Sequence, residues 1–450
     1  MNPEKRSDDS HASEKQETAP AAPMRPFSHN FFDKEIASLR MGFLKPMVMT
    51  TIIMMVVIWA LLSIYWGSLW KENENSPRLT GAIVNRDAGV IGAAIRDAFL
   101  DTNNGPLPHL TWHEVSTAQY PTHAEVTEAI EPRQDYWAFV DIMPNATDAL
   151  AAARAAGDES WDPSKVVTLT VSFARNMQAV PSVVVTPAQQ NIMRAAEKVS
   201  RDVTAQFLQS TLNNADALTT ALRAPQTMTN PVGMSLEDLR PWDQSVAIAP
   251  TFVGLIYMVI LTLNLTMAGF GCRQQIAKYL TLRSFIIMRI VAPMLGYIPI
   301  SLMFSLLNIP FKLTFGRAFP YGGGFMAWWC VTYTGMLIAG LCLESVITLV
   351  GPPFIGIFLI FYIIANVSVS NFPIELSPSF YKYGYAMPFY NLRQIYITIV
   401  FNSGKHVLIL KYIGILWAWL ALIFLTFPLF IWYEHRKHKN VGRVGAGPPA

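Results

Sequence analysis

The residues best suited to chemistry in this chain are two charges that lie inside long apolar stretches. Glu344 is the only acidic residue within such a stretch, and Arg289 lies at a similar depth in another one. A charge in hydrocarbon costs roughly 3 kcal/mol or more, so it usually faces protein or water. We expect the two side chains to form an ion pair between neighbouring helices. Two alternatives are open: Glu344 titrates or contacts a polar head group or drug, or Arg289 reaches the membrane interface.

Asn264 and Asn308 are further polar residues in apolar stretches. A single asparagine often links two membrane helices by a hydrogen bond. Together with Glu344 and Arg289, Asn264 is a candidate for the lining of a substrate path.

Short motifs for catalysis, metals or nucleotides are not evident. The sequence contains no G-x-x-x-x-G-K-[ST] loop, and residues 442–447 (GRVGAG) follow no strand. His109, His113 and His123 lie near Glu114, but strand-like spacing keeps the first two apart. We therefore predict no enzyme activity, catalytic residue, cofactor or metal, and no nucleotide or nucleic-acid partner.

Membrane helices must position these residues. The chain has 450 residues, of which 52% are hydrophobic and only 14% charged, against about 25% charged in soluble proteins. About 20 apolar residues cross a bilayer, and the sequence predicts six spans: 47–66, 246–270, 284–308, 326–349, 353–371 and 409–433. A glycine and two prolines at 351–353 favour a turn between the fourth and fifth. Five spans with a re-entrant segment are the alternative.

The predicted fold is an α-helical polytopic membrane protein with an α/β extracytoplasmic domain inserted between helices 1 and 2. The predicted parts are a disordered cytoplasmic tail (1–30), an interfacial amphipathic helix (31–46), the first span (47–66), the outer domain (67–245), a bundle of five helices (246–433) and a basic cytoplasmic tail (434–450). Pro46 would separate the interfacial helix from the first span. The alternative is that residues 31–46 only extend this span.

The outer domain alternates between β-rich and helix-favouring segments, which indicates an α/β unit. The predicted strands are 79–85, 110–115, 137–142 and 166–173, and the predicted helices are 90–100, 122–130 and 146–156. Residues 186–222 contain no glycine and no proline after Pro187, and they predict one or two further helices.

The distribution of charge predicts the orientation in the membrane. Basic residues precede the first span, lie in the loop between spans two and three, and follow the last span. These three segments are therefore predicted to be cytoplasmic. Both termini are then cytoplasmic and residues 67–245 are extracellular or lumenal, with the plasma membrane as the preferred location. Asn145-Ala146-Thr147 in this domain is a glycosylation acceptor sequence.

Two segments indicate a particular protein family, which composition alone does not. Residues 63–70 (SIYWGSLW) and 366–391 (NVSVSNFPIELSPSFYKYGYAMPFYN), the latter followed by Phe401-Asn402-Ser403, resemble the fungal nitrosoguanidine-resistance family. The resemblance covers about residues 40–435 and implies a membrane protein linked to drug or toxicant resistance. It also implies a likeness to the permease half of ABC-2-type exporters, which usually form homodimers. Where the family has an acidic pair after the first outer strand, this chain has Asn85-Arg86-Asp87.

The segment 366–391 suits an aromatic cap at the outer interface, where aromatic rings lie at head-group depth. The candidate residues of this cap are Asn366, Pro373, Glu375, Tyr381, Tyr385, Pro388 and Tyr390. The cap would anchor the bundle, or it would form an outer gate.

The leading functional hypothesis is export or redistribution of amphipathic drugs or lipids, without an ATPase of its own. The alternative is a non-transporting organiser or adaptor whose outer domain binds a partner. A membrane-embedded enzyme would need a site assembled from residues distant in sequence.

Overall fold

The computed structural model describes residues 30–444, apart from the side chains of Lys278 and of residues 437–444. The predicted disordered tail lies outside the described residues except for Asn30, and so do residues 445–450 of the predicted basic tail. The chain divides into one unit that ends at Val57 and a second that begins at Ile58. The β-sheet and the bundle from residue 245 onward belong to the second unit.

Helices dominate the described chain. They are α1 (Lys34–Leu69), α2 (Val90–Thr102), α3 (His123–Ile130), α4 (Ala146–Ala156), α5 (Thr186–Ser210), α6 (Ala215–Ala221), α7 (Ser245–Ile276), α8 (Leu282–Leu306), α9 (Tyr321–Val350), α10 (Pro352–Val367), α11 (Pro388–Phe401) and α12 (His406–Val444). Shorter helical turns connect several of them.

A five-stranded sheet forms the centre of the domain between α1 and α7. Its strands are β1 (Thr80–Asn85), β2 (Thr111–Val115), β3 (Ala138–Ile142), β4 (Val167–Val171) and β5 (Met234–Asp238). Their order is β2-β1-β3-β4-β5, and only the pair β3–β4 is antiparallel. Helices α2, α4 and α5 contribute to the core on one face, and α3 packs on the other. Because both faces are covered, the central strands are apolar along their length.

The sequence predicted most of this domain. All four predicted strands and all three predicted helices form, with ends that differ by at most two residues, and residues 186–222 form α5 and α6. The sequence analysis missed β5. This strand (MSLED) is short and half polar, and its pairing with β4 at the edge of the sheet defines it.

Five of the described helices are long and apolar enough to cross a membrane: α1, α7, α8, α9 and the part of α12 up to Arg436. Helix α8 is shifted by two residues from the span predicted for it, and the other four helices are longer than their predicted spans. Pro46 lies inside α1 and does not end it, so the predicted break between an interfacial helix and the first span does not occur. The alternative, in which residues 31–46 extend the span, describes the helix better.

The predicted fifth span, 353–371, is not a full-length helix. Its counterpart α10 ends at Val367, and at about 1.5 Å per residue its 16 residues rise about 24 Å, which is less than the roughly 30 Å of a bilayer core. Helix α11 has 14 residues. The two helices meet where the Phe389 backbone N–H donates to Asn366 Oδ1 at 3.2 Å.

The ends of the neighbouring helices show in which direction the chain runs between α9 and α12. Arg289 binds both Glu344, near the end of α9, and Glu434, near the end of the apolar part of α12. The two helices therefore end on the same side of the bundle, and the chain between them must return to the opposite side. Helix α10 and the turn after it make this return, because the chain already reaches the sheet domain at Asn371, before α11 begins.

Candidate functional site: a charged cluster beside a cavity

Four charged side chains meet in the bundle, near the ends of α7, α9 and the apolar part of α12 and the start of α8. Arg273 Nη1 donates to Glu344 Oε2 at 2.6 Å, and Arg289 Nη2 donates to the same oxygen at 2.9 Å. Arg289 Nη1 donates to Glu434 Oε2 at 2.8 Å. Arg289 also donates to Thr348 Oγ1. The structure thus brings together the two residues that the sequence paired and adds one more of each sign.

Burial makes this cluster energetically important. Arg289 and Glu344 are 2% and 3% exposed, Arg273 is 7% exposed, and only Glu434 keeps a partly open side chain. Removal of one partner of a buried ion pair typically costs about 3–5 kcal/mol, because a charge is left without compensation. The cluster therefore constrains how the four helices pack at this end of the bundle.

Sequence reasoning missed Arg273 and Glu434 because the apolar stretches end before the helices do. The predicted second span stops at residue 270, which assigned Arg273 to a loop, but α7 continues to Ile276. The predicted last span stops one residue before Glu434, but α12 continues beyond it. A helical continuation of both spans would have revealed the two residues, since each lies within one turn of the predicted end.

The hydrogen-bonding capacity of the cluster is not exhausted. Arg273 Nη2 and Arg289 Nε are buried donors without an acceptor among the described residues. Glu344 Oε1 accepts no hydrogen bond there, and it lies 3.7 Å from the position that a Cβ on Gly269 would occupy. Glu344 Oε1 is therefore the atom of the cluster that can accept a further hydrogen bond from the side of Gly269.

A cavity of about 210 Å³ lies beside the cluster, between α7, α8 and α9. Most of its lining is apolar, including Leu265, Ile276 and Met288, and Glu344 and both arginines contribute its polar part. Binding pockets for drug-sized ligands are typically about 300–1,000 Å³. This cavity therefore fits a head group or one end of an amphiphile better than a whole lipid.

The other intramembrane candidates lie elsewhere. Asn264 is exposed, and its amide donates to the Ile260 carbonyl of its own helix, so the structure does not bring it to the charged cluster. Asn308 is buried just after α8 and donates to the Phe304 and Ser305 carbonyls. Neither asparagine forms a side-chain hydrogen bond to another helix in the described part of the chain.

The predicted aromatic cap is more deeply integrated than an interfacial anchor. Tyr381 is buried, and its hydroxyl donates to the Ile64 carbonyl of α1 at 2.6 Å. Asn366 is buried at the junction of α10 and α11, and Pro388 is the first residue of α11. Among the remaining candidates, Pro373 is buried, Glu375 and Tyr390 are half-buried, and Tyr385 is exposed. The Tyr385 hydroxyl donates to Glu375 at 3.3 Å.

The sheet domain binds the segments on both sides of α11. Asn176 Nδ2 donates to the Asn371 carbonyl, and Leu376 packs into the core of the domain. Beyond α11, Arg240 Nε donates to the Asn402 carbonyl at 3.1 Å. The domain therefore fixes the chain just before and just after this helix.

Glu131 is the buried acid of this junction. Its carboxylate accepts hydrogen bonds from Ser172 Oγ and from the Gly404 backbone N–H, and Arg240 lies 3.9 Å away. Burial raises the pKa of Glu131, although these partners oppose the shift. The junction thus contains a carboxyl group that gives up its proton less readily than an exposed one.

Asp87, in the segment that departs from the resemblance, has a structural role. Its carboxylate accepts hydrogen bonds from the Gly92 N–H at 2.8 Å, the Thr147 N–H at 3.1 Å and the Thr147 hydroxyl at 2.7 Å. Gly92 and Thr147 lie in the first turns of α2 and α4, where N–H groups lack partners within the helix. One acid therefore caps two helices.

The histidines do not gather around one point. His109 is buried beside the Leu110 carbonyl, His113 lies in β2, and His123 Nε2 is 2.9 Å from Glu237. Among the side chains that the structure describes, no group of three potential metal ligands occurs. Asn145 is exposed just before α4, and its glycosylation stays a prediction.

Comparison with known proteins also indicates a membrane protein. Residues 50–425 match the family described as "Protein of unknown function (DUF3533)". A protein of Saccharomyces cerevisiae, described as an uncharacterized endoplasmic reticulum membrane protein, is 23% identical over 458 aligned positions, which cover 94% of this chain and 86% of the relative. No solved structure matches the chain. The relative and the apolar helices together identify a multi-pass integral membrane protein.

Proposed function

The chain belongs to the DUF3533 family of proteins of unknown function, and from this premise we propose that it redistributes amphipathic drugs or lipids within its membrane. The cavity beside Glu344 carries this proposal. It joins an apolar lining to buried charges with unused hydrogen-bonding capacity, which is the combination that an amphiphile requires. Catalysis forms no part of the proposal.

The roles of the residues follow from their positions. The apolar side chains contact the hydrocarbon part of the ligand, and Glu344 Oε1 with the arginines contacts its polar end. Movement would need a partner or a gradient as the energy source, or would run downhill. Resistance to nitrosoguanidine and other toxicants would follow from changed drug or lipid distribution. The likeness to ABC-2-type permeases and the homodimer belong to the same proposal.

The orientation is also proposed. Basic residues at the end of the bundle that carries the charged cluster favour the cytoplasmic side, which places the sheet domain outside or in a lumen. The name of the yeast relative favours the endoplasmic reticulum, and charge alone does not distinguish it from the plasma membrane. Fluorescence imaging of the tagged chain beside markers of both membranes tests the location.

Flux of fluorescent lipid and drug in liposomes with the purified protein tests the function. Gly269→Met is the decisive variant, because Gly269 lines the cavity beside Glu344 and a long side chain there fills it. Gly271→Met is the matched control, since a side chain at Gly271 meets open space on the same helix. We expect flux to fall in the first variant and to persist in the second.

The results separate the hypotheses. Flux that exceeds that of empty liposomes and is equal in both glycine variants would contradict transport through this cavity. Flux lost in Glu344→Gln protein that is shown to be folded, but kept in Gly271→Met, would place the carboxylate on the path. Absence of flux with folded protein would favour the alternative function.

The alternative, an organiser or adaptor, is favoured by a groove on the sheet domain. This groove has a volume of about 770 Å³ and lies between α5 and the segment before β5. Met193 is 63% exposed on its lining, and Glu197 and Arg201 supply charge. Exposed apolar surface rimmed by polar residues is typical of interaction sites. A partner captured by the full-length protein and lost in Met193→Asp would support this function.

A further inference from the structure

The cavity beside Glu344 opens to the outside of the bundle between α7 and α8. The lining residues that are themselves exposed are Gly269, Cys272 and Ile276 on α7 and Ala292 on α8. Both helices are long and apolar enough to cross a membrane, so an opening between them is accessible from the bilayer. A ligand dissolved in the membrane can therefore enter the cavity sideways.

The atom that the cavity offers to such a ligand is a hydrogen-bond acceptor. Glu344 Oε2 accepts from Arg273 at 2.6 Å and from Arg289 at 2.9 Å, whereas Oε1 accepts from no described residue. Outside the surrounding turns of α7, Oε1 is the only atom within 4 Å of the position that a Cβ on Gly269 would occupy. The missing side chain of Gly269 therefore leaves space in front of Oε1 for a group that donates to it.

Pro293 leaves a second acceptor without its usual donor in the same wall. Proline has no backbone N–H, so Pro293, inside α8, cannot donate to the carbonyl of Arg289 four residues earlier. Arg289 and Pro293 both line the cavity. The wall therefore favours a ligand whose head donates hydrogen bonds.

The charges around Oε1 favour a neutral donor. An anionic head in front of Oε1 would meet a carboxylate, and the unpaired donors Arg273 Nη2 and Arg289 Nε are too deeply buried for it to touch them. A cationic head gains little, because two guanidinium groups already contact Glu344 and would repel it. A hydroxyl group donates one hydrogen bond and avoids both costs.

We propose that the ligand of this cavity is a neutral lipid with a hydroxyl head, such as a sterol or a diacylglycerol, and that its hydroxyl donates to Glu344 Oε1. This inference rests on the proposed function, whose substrate class it names. Leu265, Ile276 and Met288 contact the apolar part next to the head, and the rest of the ligand extends through the opening into the bilayer. A volume of about 210 Å³ suits this arrangement, because only the head and the adjoining carbons have to fit.

Protection of a native cysteine tests binding without flux. Cys272 lines the cavity and is exposed, whereas Cys330 is exposed on α9 outside the lining. The full-length protein, in nanodiscs of phosphatidylcholine, is labelled with a maleimide, and mass spectrometry distinguishes the two thiols. When cholesterol fills about nine-tenths of the sites, labelling of Cys272 should slow about tenfold. Labelling of Cys330 should keep its rate.

The probes separate hydrogen bonding from shape and charge. The keto analogue of cholesterol has no donor, so it should need about a 10- to 100-fold higher concentration, the range expected for one hydrogen bond to a charged group. Octadecanol should protect at a lower concentration than octadecylamine, which has the same chain and a cationic head. Cholesterol sulfate, with an anionic head, should protect less well than cholesterol. Protection by cholesterol, by dioctanoylglycerol or by both identifies the class of hydroxyl lipid.

Two glycine variants on α7 locate the ligand. Gly269→Leu places a side chain in front of Glu344 Oε1 and should abolish the protection by cholesterol. Gly271→Leu should keep it, because a side chain at Gly271 meets open space. Neither change removes a charged group, and the labelling rates with and without cholesterol are compared within each variant.

Four outcomes would overturn the proposal. Equal protection by cholesterol and its keto analogue would remove the hydrogen bond to Glu344, and better protection by octadecylamine than by octadecanol would replace the hydroxyl by a cation. Protection retained in Gly269→Leu would place the ligand elsewhere, and no protection by any hydroxyl lipid would reject this ligand class. Hydroxyl-dependent protection without flux in liposomes would retain the site and reject transport. Flux that is lost in Gly269→Met, without protection by a hydroxyl lipid, would do the reverse.

Discussion

An exchange of charge between Glu344 and Arg273 is expected to be tolerated better than an exchange between Glu344 and Arg289. Three contacts join opposite charges in the native cluster: Arg273–Glu344, Arg289–Glu344 and Arg289–Glu434. Glu344→Arg with Arg273→Glu leaves two of them attractive and makes one repulsive. Glu344→Arg with Arg289→Glu leaves one attractive and makes two repulsive, because Glu434 then faces a second carboxylate.

The number of attractive contacts sets the expected magnitudes. Glu344→Gln leaves two guanidinium groups to share Glu434 and should lower the free energy of unfolding by about 3–5 kcal/mol. Glu344→Arg alone adds repulsion and should cost more. Arg273→Glu in the same chain should recover roughly half of that loss, since one repulsive contact remains. Arg289→Glu should recover none.

Denaturant unfolding of the purified full-length chain in mild detergent, followed by tryptophan fluorescence, measures these differences. The exposed pair Arg317–Asp243 provides the control, because an exchange of its charges should change the free energy of unfolding by less than about 1 kcal/mol. Equal recovery by the two exchanges at Glu344 would refute the assignment of Glu434 as a partner of Arg289. A loss below about 1 kcal/mol in Glu344→Gln would refute the buried cluster itself.

Three further predictions concern the sheet domain. Because the pKa of Glu131 is raised in the fold, the native state keeps this proton to a higher pH than the unfolded chain does. The free energy of unfolding should therefore be greatest below the ordinary pKa of 4.5 and should fall as the pH rises through the native pKa. Glu131→Gln should remove this fall in unfolding curves measured against pH, and Glu128→Gln, exposed on the same helix, should retain it. Asp87→Ala removes two helix caps and should lower the free energy of unfolding by about 2–4 kcal/mol, whereas the exposed Asp101→Ala should change it little. If the sheet domain is lumenal, Asn145→Gln should abolish a glycosidase-sensitive mobility shift of the expressed chain; an unshifted wild-type chain would contradict glycosylation at this site.

The pairing of Glu344 with Arg289 was predictable because few charges occur in the apolar stretches. The full cluster was not, since Arg273 and Glu434 lie where hydropathy has already fallen but the helix continues. Hydropathy reports the apolar length of a span, whereas Arg273 and Glu434 reach the cluster from helical turns beyond it. Similarly, the strands of the sheet domain were predictable from their apolar runs, and β5 was not, because its pairing with β4 defines it.

The course of residues 366–391 shows a second limit of sequence reasoning. Tyrosine, phenylalanine and proline suit an interfacial cap and a packed turn equally well, so composition does not distinguish them. Contacts across the chain decide the outcome: Tyr381 binds Ile64, which is 317 residues away in sequence, and Trp419 Nε1 donates to the Ala386 carbonyl at 2.7 Å.

The shortness of α10 and α11 affects how the protein is made. With about 24 and 21 Å of helical rise, both helices are shorter than the roughly 30 Å of a bilayer core. Helix α12 is synthesised after both and packs against α11, as Trp419 and Tyr412 show. The sheet domain, already complete at that time, binds the chain on both sides of α11. We therefore expect α11 to reach its final packing only after the last helix has been synthesised.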